Sequence, residues 1–314
     1  MARSSKILFA AILALAAVGE TARHINGSPA MENTASVADL TAQPKNTKIT
    51  RDSDEEIWTN FRHKVYRARE TMMDELEKEK ERKPWEAVYS TGSPFLLRGI
   101  IVTEHAYVTT GRSGHDMGRV RANKGSLEFI SDAPLLKPGM KKSFSMFVVP
   151  WDERLYLIQP DYMVHFCNHV NSGEGRCPGA GHSFYRRLSD FEKQAAGLPD
   201  VPHEYSDYLL ATPITARIIK ISAKKQNVKL PGEKETMAET VAGIPLTINK
   251  GKRHGVKAGM EFYPSKVGLF PTATVHSVAE ATSELILQGD TRSGLFDEDM
   301  ALSTRNPNWD EENE

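Results

Sequence analysis

Phe144-Ser-Met-Phe-Val-Val149 and Arg154-Leu-Tyr-Leu-Ile158, separated only by Pro150-Trp-Asp-Glu153, decide the fold. Both runs are short and rich in aromatic and β-branched residues, and the residues between them can turn the chain, so the stretch reads as two antiparallel strands. The same pattern repeats outward, at Phe95–Val102, Ala106–Thr110 and Ser126–Ile130 on one side and at Ser183–Leu188 and Ile214–Ile221 on the other. Gly, Pro, Asp and Asn punctuate these runs. No long amphipathic helix alternates with them, which favours an antiparallel β-sandwich or barrel over residues 85–222 above a βαβ fold.

One segment breaks the β pattern. Pro160-Asp-Tyr-Met-Val-His-Phe-Cys-Asn-His-Val170 starts as a helix starts, with proline at the first position and an acid beside it. Met163, Phe166, Cys167 and Val170 share one face of that short inserted helix. Asp161, His165 and His169 follow one another at turn-to-turn spacing on another face. Two imidazoles four residues apart can hold zinc, and a carboxylate is an acceptable third ligand. Surface or half-buried histidines are the competing reading, because no His-Glu-x-x-His supplies a general base. His182 and His203 are further imidazoles that the fold could bring near. Cys167 and Cys177 are the two cysteines of the chain. An even pair at this spacing in an exported protein predicts a disulfide, worth about 2.8 kcal/mol on the chain-entropy model.

Export itself is read from residues 1–19, where Arg3 and Lys6 precede the apolar run Ile7–Val18 and small residues follow. That is the layout of a secretory signal peptide. No cysteine follows the run to accept a lipid. Residues 20–50 are aperiodic and polar, and read as a disordered leader. An amphipathic helix is expected over 51–84, with Ile57, Phe61, Val65, Met72 and Leu76 at helical spacing, Trp58 and Met73 beside them, and Pro84 as the stop. Residues 223–239 read as a linker, and 305–314 as an acidic, mobile tail.

Between them, 240–304 reads as a small C-terminal β-barrel. Pro245-Leu-Thr-Ile-Asn-Lys-Gly-Lys-Arg-His-Gly-Val-Lys-Ala-Gly-Met-Glu-Phe-Tyr263 gives strand, glycine-bearing turn and strand, and Thr272–Ala279 and Ser283–Gly289 give two more. Asn-Lys-Gly-x3-Gly-Val-x2-Gly-Met resembles the small β-barrel module of bacterial periplasmic envelope proteins, as in the periplasmic part of the rod-shape protein MreC and in a flagellar-rim protein. The resemblance covers about 245–304 and implies a scaffolding or contact role without catalytic residues. The chain differs from MreC in having neither a membrane anchor nor a long coiled coil, which points away from a cell-shape role. Residues 95–220 resemble exported bacterial proteins of unknown function. Lys252 and His254, at the glycine-rich turn, are the candidate contacts to an anionic partner.

Composition limits the functional classes. Forty basic residues against 41 acidic ones argue against a dedicated nucleic-acid binder. No apolar run is long enough for a conventional membrane span once a signal is cleaved. Gly111-Arg-Ser-Gly-His115 ends in His where a nucleophile elbow needs Gly, so Gly111–Gly118 reads as a turn. No phosphate loop is present. The expectation is therefore a periplasmic or secreted envelope protein, non-enzymatic and without a cofactor, that binds a protein or another envelope component. The alternative is a periplasmic metal-dependent enzyme or metal-binding protein, with zinc held in the 161–182 region. A small-ligand carrier is the third class.

Overall fold

The computed structural model describes residues 47–78, 81–91, 99–110, 115–134, 142–173, 184–222, 226–228, 241–265, 272–288 and 296–309. The expected export signal (residues 1–19), most of the expected leader, Gly111–Gly114, Cys177, His182 and the last five residues of the expected tail lie outside them. The protein is mainly β, with two closed antiparallel barrels. Among the described residues no helix is long and apolar enough to cross a membrane.

The first barrel has eight strands in chain order: β1 Ala87–Ser90, β2 Gly99–Val102, β3 Ala106–Thr110, β4 Met117–Asn123, β5 Ser126–Ser131, β6 Ser143–Trp151, β7 Arg154–Ile158 and β8 Phe184–Arg187. Pairing of β8 with β1 (Tyr89 opposite Arg187) closes the ring, so no edge is left open. The two-residue period sends Tyr89, Ile100, Val102, Tyr107, Val120, Leu127, Phe129, Met146, Leu155 and Leu157 inward, where they form one buried cluster. Phe129 and Phe144 stack at 5.0 Å, with Tyr107 edge-on to Phe129 at 5.2 Å. At this strand number side chains just fill the interior. Of the two alternatives over 85–222, the barrel is the one that forms.

Two helices cover the outside of this barrel. The first, α1 (Thr47–Lys78), buries Phe61, Val65, Met72 and Leu76 against Ile101 and Val108, with Trp58 and Met73 at the margin. Each such side chain fully buried contributes about 1.5–3 kcal/mol. The helix starts inside the expected leader and stops before Pro84, and Ile57 stays exposed, because the line of contact with the barrel begins one turn later. The second, α2 (Met163–Ser172), is inserted between β7 and β8 and follows a 3-10 turn, Pro160–Tyr162. It lays Met163, Phe166 and Cys167 on Val149, Trp151, Tyr156 and Ile158. That explains the apolar run Leu155–Ile158 of β7, buried throughout: Leu155 and Leu157 face the barrel interior, and Tyr156 and Ile158 face α2. Gly173 ends α2 in the left-handed conformation (φ 86°) that glycine adopts without strain.

The second barrel comprises β9 Thr215–Ile221, β11 Val241–Ile248, β12 Glu261–Pro264, β13 Ala273–Val278, β14 Ser283–Gln288 and β15 Ala301–Ser303, with β10 Gln226–Val228 added outside the ring along β11. Ile218, Leu246, Ile248, Met260, Phe262, Val275, Leu285, Leu287 and Leu302 fill it. Its boundary differs from the sequence expectation. β9, expected in the first domain, pairs with β11 and with β15 and closes this barrel, and β10 arises within the expected linker. A strand's register partner is a long-range choice that local patterning does not specify. The expected tail also begins too early: Asn306 is buried, and its N–H bonds the Ser172 carbonyl at 3.0 Å, satisfying an end carbonyl of α2.

Both barrels belong to one compact unit, Ile49–Glu314. The polar side of α2 joins them. Asn168, buried, donates from Nδ2 to the Gly259 carbonyl at 2.8 Å and accepts from the Glu261 N–H at 3.3 Å. Asn171 bonds the Tyr208 carbonyl at 2.8 Å and the Leu210 N–H at 2.9 Å, on the segment that leads into β9.

Candidate functional site

The helical spacing of His165 and His169 does bring the two rings together on the outer side of α2, where it meets β12. Their Nε2 atoms are 3.2 Å apart and their rings are edge-on, with centroids at 4.5 Å. The Phe184 ring lies 5.5 Å from one and 5.3 Å from the other, closing the site on the β8 side. From the second barrel, Glu261 Oε1 lies 3.3 Å from His165 Nδ1, and the Tyr263 hydroxyl donates to Glu261 Oε2 at 2.9 Å. Strand alternation places Glu261 and Tyr263 on the same, outward side of β12, while Phe262 enters the barrel core.

The protonation pattern follows from the bonds. Burial pushes the Glu261 carboxyl up. The His165 and Tyr263 hydrogen bonds and the two imidazoles together outweigh it and hold the carboxyl below its ordinary value. An ionised carboxylate only accepts, so His165 Nδ1 carries the proton toward it. With both rings neutral, the proton on His165 Nδ1 leaves its Nε2 as a lone pair that His169 Nε2–H can meet at 3.2 Å.

Asp161 does not complete a ligand set. It stands in the 3-10 turn ahead of α2, not in the α-helical register that a one-turn spacing assumes. Among the described residues no three His, Cys, Asp or Glu side chains converge on a point that could hold a metal. His203 opens an exposed 3-10 helix, His203–Tyr208. Glu261, which does meet His165, is 96 residues distant in sequence.

The expected Cys167–Cys177 disulfide is not seen. Cys167 is a free thiol, fully buried on the apolar face of α2 among Phe166, Tyr156 and Phe184. A disulfide would need the second cysteine to enter that packed layer. Burial pushes the thiol up to about 12, far from the thiolate that reacts. Cys167 is therefore expected to resist iodoacetamide in the folded chain and to alkylate in denaturant without reductant. Mass spectrometry of the Cys167 peptide checks this, and a peptide that labels only after reduction would establish a disulfide instead.

A second feature lies at the turn between β11 and β12, where Lys250, Lys252, Arg253 and His254 are grouped. A short 3-10 helix, Lys252–His254, carries three of them. Gly251 packs so closely on the backbone of Ala279 and Thr282 that no side chain fits there, and Gly255 takes φ 82°. The Lys252 N–H bonds the Ala279 carbonyl at 2.9 Å, and the Arg253 N–H bonds that of Glu280 at 3.2 Å. His254 Nδ1 accepts from the Gly251 N–H at 3.3 Å. Partial desolvation, then the Lys250 and Arg253 charges, lower its pKa, so the ring stays neutral and keeps this bond.

Sequence reading missed one further polar cluster. Asp190, fully buried at the end of a 3-10 turn after β8, accepts from Arg187 Nε at 2.7 Å, Lys193 Nζ at 3.1 Å, the Ser189 hydroxyl at 3.1 Å and the Leu155 N–H at 3.0 Å. Its position three residues from one base and three from another was the only local signal. Comparison of the chain with family models, with curated proteins and with solved structures finds no match to any of them.

Proposed function

We propose that the chain is an exported protein of the bacterial envelope that works by contact, with the basic turn of the second barrel meeting an anionic partner. The observation that carries this reading is the way Gly251 and the 252–254 backbone bonds hold Lys250, Lys252 and Arg253 on a rigid support. A pre-organised group of like charges loses little entropy on binding and steers an oppositely charged partner. The interiors of both barrels are filled by their own side chains, which directs binding to the outer surface. The basic–apolar–small pattern of residues 1–19 supports export.

A photo-crosslinking residue at Lys252 is expected to capture a defined acidic component in envelope extracts, and one at Lys124 on the first barrel is not. Reversing charge with Lys252→Glu and Arg253→Glu is expected to weaken that partner's binding at least about tenfold, and more at low salt. Equal capture from both probe positions, or binding indifferent to the reversal, ends this reading.

A further inference from the structure

We propose that His165 and His169 form an open bis-imidazole site for a divalent cation of the zinc and copper class, with Glu261 and Tyr263 as its outer shell. Three observations converge on it. The first is separation: nitrogens each about 2.05 Å from a tetrahedral ion lie about 3.3 Å apart, and the two Nε2 atoms lie 3.2 Å apart. An ion placed between and outward of the rings needs no change in that separation, only a turn of the two lone pairs toward it. The second is orientation. Metal-binding imidazoles characteristically donate their other N–H to a carboxylate, which fixes the tautomer and raises basicity. Glu261 is in that place for His165, accepting at Nδ1, and is itself fixed by Tyr263 and, through its backbone N–H, by Asn168. The third is access, since the His165 side chain is 41% exposed and the Glu261 side chain only 17%, so the ligand meets solvent while its support does not.

The proton balance is simple. With both rings neutral and His165 protonated at Nδ1, it is His169 Nε2–H that donates across the pair. On binding, His169 shifts to its Nδ1–H tautomer, so both rings stay neutral and both Nε2 lone pairs turn to the ion. Two protein ligands leave two positions of a tetrahedral ion for water or for donors from a bound molecule. The class follows from imidazole, which suits zinc, copper and nickel and not the hard cations calcium or magnesium. The pair also spans the seam: its ligands sit on the helix of the first barrel and its outer shell on β12 of the second, so occupancy would tighten the link between the barrels. This site is independent of the contact role proposed for the 250–254 turn.

Zinc chloride titrated into the full chain, followed by calorimetry, tests the proposal. One saturable equivalent is expected, abolished by His165→Gln and by His169→Gln, weakened about tenfold by Glu261→Gln, and unchanged by His203→Gln. Long-range proton–nitrogen spectra of the wild-type imidazoles guard against a variant that misfolds. On zinc addition the Nε2 signals of His165 and His169 should move together, and those of His105 and His203 should not. Absence of a saturable equivalent, retention of it in either His variant, or a shift confined to other histidines would overturn the site.

Discussion

Residues 240–314 expressed alone are expected to remain unfolded, and extension back to residue 210 is expected to restore a cooperative unit. The reason is β9. Its Ala216 and Ile218 lie inside the second barrel's core, and it fills the gap between β11 and β15. Without it, the ladders Leu246–Ile221 and Ile248–Ile218 on one side, and Ala301–Arg217 and Ser303–Thr215 on the other, have no partner strand. Two open edges replace none, and Ile248 and Leu302 lose the Ile218 side of their packing. Losing one fully buried Ile costs about 1.5–3 kcal/mol, and the unpaired backbone adds to that. A domain of this size has only about 5 kcal/mol to lose. Thermal melts by circular dichroism decide it: a sigmoidal transition in the 240–314 fragment would show that the ring closes without β9.

The same strand illustrates what the sequence conveys and what it does not. Apolar alternation in Ile214–Ile221 identifies a strand, but its neighbours in space are Leu246 and Leu302, chosen by fit across long stretches of chain. Strands built from apolar runs, such as β6 and β7, were legible because aromatic and β-branched residues dominate them, and β7 is buried on both faces. β1 and β4 were not. β1 has four residues, Ala-Val-Tyr-Ser, and β4 exposes Arg119 and Arg121 while turning only Gly118 and Val120 inward. A half-exposed strand with arginines outside has the composition of a loop, so the expected turn ran on to Gly118.

At the candidate site the legible part was the local part. The i, i+4 spacing of His165 and His169 fixes their proximity once residues 163–172 are helical. Asp161 followed the same arithmetic and failed, because the turn before Met163 tightens to 3-10 geometry. Glu261 and Tyr263 carried a faint signal, a carboxyl and a phenol two residues apart on one side of a strand whose other side is Phe262. Nothing local says that this side meets α2. Asn168 shows the same limit: nothing in its local sequence marks it as the buried clasp that joins two barrels.

Removing Asp190 is expected to be the most damaging single substitution. Asp190→Ala leaves the Leu155 N–H without its acceptor inside the barrel wall, and leaves Arg187 and Lys193 without their carboxylate. The cost is about 3 kcal/mol, because the Leu155 N–H is left buried without an acceptor while Arg187 and Lys193, partly exposed, lose their shared carboxylate. For a unit of this size that lowers Tm by roughly 6–12 °C. The pH dependence separates a charge role from a packing role. Burial raises the Asp190 pKa, but hydrogen bonds from Arg187 and Lys193, the Arg187 charge and the Leu155 N–H lower it further, so the folded value lies below the unfolded one. The unfolded chain then takes up the proton more readily, and the stabilisation is complete above the unfolded value of about 3.9. It disappears as pH falls through the lower folded value. Wild type should therefore lose stability more steeply than Asp190→Ala below about pH 4, and the two curves should approach each other in acid. Parallel curves across that range would mean that the carboxylate's charge contributes nothing, and that the cost of the substitution is the cavity alone.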